Sequence, residues 1–277
     1  MLQRHFLVVG VTEAILGATG TGSTHLAHHG ASHIGNRATL PDDINALVAF
    51  LEPDESFGPF HGLPGAVLPR GFSWPRFHTL KVEIGVSLGW GAPIQQQGQA
   101  GQQGQAGQQG QQGQAERRPG TLYEKANAWR QCPGVEYVLS IHVSPGLLRR
   151  EFRLDSIVNG QFENPGMQHA PIVNNTVLQF DPWRLLGIPH GANLPDGFNN
   201  PVQFNLFNAV DPIIQRERAN IELERDIRAQ ADADADAAAA DDDGDGGSGG
   251  AAAADGGGGG DDDDDDAGPP RRRQRHH

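Results

Sequence analysis

From His78 to Trp90 the chain reads HTLKVEIGVSLGW, with Leu80, Val82, Ile84 and Val86 on one parity and Lys81, Glu83 and Ser87 on the other. Alternation of this kind predicts a β-strand with one apolar face. Glu83, in mid-strand between Val82 and Ile84, requires water, a metal or a partner on the opposite face. Further strands are predicted at Val135–Val143 and Leu148–Leu154, joined into a hairpin by the Ser144-Pro-Gly turn, and at Ile172–Phe180. The apolar run Phe6–Val11 reads as a short buried strand, and Ile44–Phe50 as another that Pro53 and Asp54 end. Two helices stand out. Thr121 followed by Glu124 forms a capping box ahead of LYEKANAW, whose Leu122, Lys125, Ala126 and Trp129 fall at i, i+3, i+4 and i+7. Lys125 therefore shares or borders the inward face. From Pro212 to Gln230, an apolar set is flanked by Arg218/Glu222 and Glu224/Arg228 pairs at i, i+4, which predicts the last ordered element.

Two segments break the patterning. Residues 95–115 are Gln, Gly and Ala with glycine at every third position from 98 to 113, and residues 231–277 hold fourteen Asp and four Arg without a Leu, Ile, Val or aromatic residue. Neither can bury enough apolar surface to offset backbone ordering, so both are expected to be disordered. The 209 residues that remain suit one decorated domain. The formal charge of −13 divides as −10 in the tail and −3 elsewhere, so the body is nearly neutral and carries no bulk basic footprint for nucleic acid.

The single cysteine, Cys132, excludes an internal disulfide framework and a Cys-rich zinc site. No run approaches the 18 apolar residues of a spanning helix, so no membrane partner is expected, and FLVVG near the N-terminus is too short for a signal peptide. An intracellular setting follows as the expectation. The glycine-rich Gly17–Thr24 lacks the lysine of a phosphate-binding loop, since Ser23 stands in its place, and reads as a flexible loop with nucleotide binding as a third functional option. His25, His28, His29 and His33 sit at helical spacing and could form a metal face, although no acidic or Cys partner joins them.

Chemistry concentrates in three short motifs. Two carboxylates on one edge of a small sheet make an oxygen-rich site suited to Mg²⁺ or Mn²⁺, and a nearby lysine offsets phosphate charge or handles an attacking water; Asp54, Glu83 and Lys125 suit these roles in kind, and their placement allows convergence that spacing alone does not establish. Each has a plain structural alternative: Asp54 as a turn or cap residue, Lys125 as a lysine lying along its helix with its head in water. LEPDESFGP, LKVEIGVS and LYEKANAWRQCPGVEYVLSIHV, in this order, resemble a restriction endonuclease family of the PD-(D/E)XK nuclease superfamily over roughly residues 45–155, with weaker agreement to about 188. The resemblance implies an α/β (or α+β) restriction-endonuclease-like fold, a central mixed sheet flanked by helices. It also implies a divalent metal, Mg²⁺ or Mn²⁺, and hydrolysis of phosphodiester bonds in DNA. Asp54 and Glu83 would match the metal-binding acids and Lys125 the helix-borne lysine; Ser87 and Glu13 are secondary candidates. The usual E-x-K is here Glu83-Ile84-Gly85, so the lysine is absent from its usual place. The expected organisation is a Gly/His-rich, partly helical segment at 1–40, a nuclease-like domain at 41–230 interrupted by 95–115, and the tail at 231–277. A catalytically degenerate domain serving as a binding or scaffold module is the alternative, and the oligomeric state stays open, a homodimer included.

Overall fold

A computed structural model of the chain describes residues 4–31, 52–86, 89–91 and 120–241. The chain divides into two units, 1–226 and 227–277. In the first, helix α1 (Arg4–Ala18) is followed by strands β1 (Leu26–His28), β2 (Glu55–Pro59) and β3 (Leu80–Gly85), helix α2 (Leu122–Trp129), and strands β4 (Tyr137–Val143) and β5 (Arg150–Val158). Short strands β6 (Gln161–Phe162) and β7 (Ala170–Pro171) pair with β5, and β8 (Val177–Phe180), helix α3 (Pro182–Leu185) and β9 (Val202–Asn205) lead into helix α4 (Leu206–Asp241). The second unit's described part is the C-terminal end of α4, residues 227–241.

The main sheet runs β1-β2-β3-β4-β5-β6 and is mixed: β1, β2 and β3 form an antiparallel meander, β3 and β4 are parallel, and β5 returns antiparallel to β4. A parallel neighbour requires a crossover connection, and α2 lies within it. The molecule is thus a mixed α/β protein with a mixed sheet flanked by helices. Leu80, Val82 and Ile84 of β3 join Tyr137, Leu139, Ile141 and Val143 of β4 on one face, in a core with Leu7, Val11 and Ile15 of α1 and with Val202, Leu206, Val210 and Ile214. Under α2 on the other side, a smaller cluster of Ala126, Ala128, Trp129, Cys132, Val135, Val138 and Ile157 closes the opposite layer.

Phe6–Val11 is helical, against the expectation of a strand. A short apolar run does not reveal its period, and the four-residue spacing of buried Leu7, Val11 and Ile15 decides for α1. Gly10 allows α4 to cross close by, because a Cβ there would stand 2.6 Å from Ile213 Cδ1 and 2.8 Å from the Ala209 carbonyl oxygen. Pro53 and Asp54 precede β2, whose five residues are all buried. Ile44–Phe50 and the insert at 95–115 lie outside the described residues. The hairpin formed as expected, while the strand expected at Ile172–Phe180 is confined to Val177–Phe180. α4 starts six residues before Pro212 and runs on into the tail as far as Asp241. Ala residues alternate with Asp there, and alanine has the highest helix propensity; the rest of the tail lies outside the described residues.

Candidate functional site

Glu83 was expected to need water, a metal or a partner; every residue of β3 is buried, Lys81 and Glu83 completely. Its polar face is roofed by α2. The parallel and antiparallel registers align Glu83 with Ser140 and Arg153, and Lys81 with Val138 and Asp155, so one face of three adjacent strands carries Lys81, Glu83, Ser140, Arg153 and Asp155. A buried layer this polar is costly unless its members satisfy one another.

Glu83 is held from above by α2. Lys125 Nζ donates to Glu83 Oε2 at 2.6 Å, and Trp129 Nε1 donates to Oε1 at 2.6 Å. The two donors are one helical turn apart, so the cap that starts α2 also aims them. Thr121 Oγ1 accepts from the Glu124 amide, and Glu124 Oε2 reaches back to the Gly120 amide at 2.7 Å. Burial raises the Glu83 carboxyl above its ordinary value, while Lys125, Trp129 and the more distant Arg4 act to lower it. Asp54 straddles Glu83 from the other side. Its amide donates to the Val82 carbonyl at 3.0 Å and its Oδ2 accepts from the Ile84 amide at 2.5 Å, so it bonds to both chain neighbours of Glu83. Arg4, at the start of α1, pairs with Asp54 Oδ1. Asp54, Glu83 and Lys125 are therefore brought together.

The secondary candidates fare differently. Ser87 lies outside the described residues. Glu13 is exposed on α1 and lines a surface hollow with Phe204, Asn208 and Ile213, away from the two acids; Arg4 is the residue of that helix that reaches Asp54. Among the described residues the histidines form no metal face: His28 approaches Glu55 at 3.8 Å, His29 rests on the His78 ring at 4.7 Å and His25 lies edge-on to Phe198, while His33 is outside the described residues. Gly17–Thr24 follows the C-terminus of α1, whose dipole end repels anions, with Gly20 and Gly22 at positive φ; it does not open a helix as a phosphate cradle would.

Sequence reasoning missed Lys81. It is fully buried, donates to His78 Nδ1 at 2.6 Å and lies over the Trp129 ring at 4.7 Å. His78 Nε2 stands 3.1 Å from the Pro75 carbonyl, which places the ring proton there and leaves Nδ1 as the acceptor. Burial pushes Lys81 down to about 7, with Cys132, Glu83 and Glu55 opposing, and pushes His78 down to about 2. The available signal was its shared parity with Glu83. Ser140 and Arg153 were missed too. Arg153 pairs with Asp155 at 2.5 Å under the Tyr123 ring, and Ser140 Oγ is buried without a hydrogen-bond partner.

The donor set of Asp54 and Glu83 fits a hard divalent cation in kind, since both are carboxylates and Asp54 bonds to the two chain neighbours of Glu83. It is small, for among the described residues no group of three or more His, Cys, Asp and Glu side chains is arranged to hold a metal ion. Each oxygen of the two carboxylates already accepts from Arg4, Ile84, Lys125 or Trp129. No helix among the described residues is long and apolar enough to cross a membrane. The chain matches no protein-family profile, no curated protein and no solved structure.

Proposed function

We propose that the protein is a divalent-metal-dependent nuclease with a restriction-endonuclease-like fold, hydrolysing phosphodiester bonds in DNA at Asp54, Glu83 and Lys125. The observation that carries this reading is the contact of Lys125 with Glu83 at 2.6 Å, with Asp54 bonded on both sides of Glu83. These three residues are far apart in sequence, yet the fold sets Lys125 on the Glu83 carboxylate and Asp54 on the backbone of its two chain neighbours. Asp54 and Glu83 would hold the Mg²⁺ or Mn²⁺. When bound, such an ion supplies positive charge to the phosphoryl oxygens and a more acidic water. Lys125, 16% exposed where Glu83 is 1%, is the member of the pair that meets solvent. Its ammonium would offset charge that builds on the phosphoryl group in the transition state. Glu83 and Trp129 fix its position, so little reorganisation is needed at that moment.

Purified protein should nick supercoiled DNA in Mg²⁺ or Mn²⁺, and Glu83→Gln should abolish nicking while the circular dichroism spectrum and melting temperature stay close to those of the unaltered chain. Full activity of Glu83→Gln would refute the assignment.

A second reading, a degenerate domain acting as a binding or scaffold module, is favoured by one observation. All four oxygens of the two carboxylates are already taken by the chain's own donors. Titration with Mn²⁺ separates the two: heat or paramagnetic binding signals that vanish in Glu83→Gln support the enzyme, and their absence in the unaltered chain supports the module.

A further inference from the structure

The three residues above lack a base. Lys125 is committed as a donor to Glu83, and the two carboxylates, which would hold the ion, already accept from Arg4, Ile84, Lys125 and Trp129. An attacking water needs a group with a free lone pair within reach.

On β4, Tyr137, Leu139, Ile141 and Val143 belong to the apolar core, so His142 is on the opposite face, the one that carries Glu83. The register sets His142 beside Gly85 of β3 and Glu151 of β5, one step along from the row of Glu83, Ser140 and Arg153. Successive residues on one strand face are about 7 Å apart and neighbouring strands about 4.8 Å, so Glu83 and His142, diagonal neighbours on adjacent strands, are about 8–9 Å apart at the backbone, a gap that a phosphoryl group and one water would fill. Gly85, where the family's lysine would stand, puts no side chain between them.

The surroundings fix which nitrogen is free. His142 Nδ1 is buried, forms no hydrogen bond, and has Glu151 Oε2 at 3.4 Å. Glu151 is anchored in turn: Trp90 Nε1 donates to the same oxygen at 2.9 Å, and His169 Nε2 approaches its other oxygen at 3.9 Å. His169 is stacked on Trp90 at 4.7 Å and bonded to the Tyr123 hydroxyl of α2 at 3.1 Å. The groups around His142 are therefore Glu151 from β5, Trp90 and His169 from the flanking loops, and Tyr123 and Arg153 one shell beyond. A carboxylate facing Nδ1 selects the tautomer protonated there, leaving the Nε2 lone pair free, and stabilises the imidazolium once it forms. The 3.4 Å separation is longer than a hydrogen bond, as catalytic pairs without substrate often are.

Resting on the nuclease reading, we infer that His142 is its general base and Glu151 the positioning residue that orients it. As the water oxygen bonds to phosphorus, its proton passes to His142 Nε2. The P–O bond to the leaving group then breaks, and its electron pair departs with the leaving oxygen, which takes a proton from solvent.

The test uses the full chain on supercoiled plasmid with Mn²⁺, comparing the unaltered protein with His142→Ala, Glu151→Gln and Glu83→Gln. His142→Ala should lower kcat about 10²–10⁴-fold, leave KM and Mn²⁺ binding unchanged, lose the acid limb of the pH–rate profile, and regain activity on adding imidazole. Glu151→Gln should keep a displaced acid limb at reduced kcat. Wild-type turnover and an unaltered pH profile in His142→Ala would overturn the base assignment while leaving the nuclease reading in place. Loss of activity without imidazole rescue, together with lost Mn²⁺ binding, would also overturn it, because His142 would then be structural. An unaltered chain that binds no Mn²⁺ and cuts no DNA would sink the nuclease reading and the base with it.

Discussion

Replacing Lys81 by Met should stabilise the protein at neutral pH and remove a rise in stability between pH 7 and 9. The side chain is fully buried, and burial lowers it from an ordinary 10.5 to about 7. Between those values the unfolded chain carries the proton and the folded chain does not, so the unfolded state binds more protons and stability rises with pH. Below pH 7 both states are protonated and the full cost of burying the ammonium remains. The two values correspond to a cost of at most about 4 kcal/mol at pH 7, of which about 2 kcal/mol is recovered by pH 9. Methionine keeps the volume and removes the charge, but it leaves His78 Nδ1 without its donor, at roughly 1–3 kcal/mol. The net expectation is a gain of roughly 1–3 kcal/mol at pH 7.

Urea unfolding at pH 7, 8 and 9 measures it. With a slope of about 2 kcal/mol per molar, the variant's midpoint at pH 7 should move up by roughly 0.5–1.5 M, and its curve should be flat where the parent's climbs. The window stops at 9 because Cys132, raised from 9.0 to about 12, then acts in reverse: the unfolded thiol ionises first and stability falls. A variant that loses stability at pH 7 while the parent shows no rise to pH 9 would refute the view of Lys81 as an amine held neutral beneath α2.

Two other outcomes follow from named contacts. Thr121→Ala removes the cap that starts α2 and should cost about 1 kcal/mol, read as a lower melting temperature; in the nuclease reading it should also lower activity, because Lys125 and Trp129 are aimed by that helix. Arg4→Gln frees Asp54 Oδ1 from a guanidinium that is half exposed; in the nuclease reading, since such pairs contribute up to about 1 kcal/mol, Mn²⁺ affinity measured by titration should rise by up to about fivefold. No change or a loss of affinity would mean that Arg4 does not compete with the ion.

What could be read from the sequence divides along a physical line. Thr121, Glu124 and the i, i+4 spacing of Lys125 and Trp129 are local signals, and α2 formed where they place it, with both side chains on one carboxylate. The strand alternation around Glu83 was equally legible, and so was the hairpin after it. The alternation said which residues share a face, but it did not say whether that face meets water. That depends on whether another element covers it, and the cover, α2, arrives across more than thirty residues of intervening chain. Lys81 was therefore passed over, although its parity with Glu83 was plain. Ser140, His142, Glu151 and Arg153 were beyond reach for a related reason. Their relation to Glu83 is fixed by the register of a parallel pair and of the returning hairpin, a choice made by the whole sheet. A local misreading, Phe6–Val11, has the same origin. Six apolar residues fit either period, and the arbiter was Ile15, a full turn further on, packing with Leu7 and Val11 into a core contributed by β3, β4 and α4. The acids of a site like this one are visible as motifs. Lys81, Arg153 and the histidine proposed as the base are visible only once the sheet has put unrelated strands side by side.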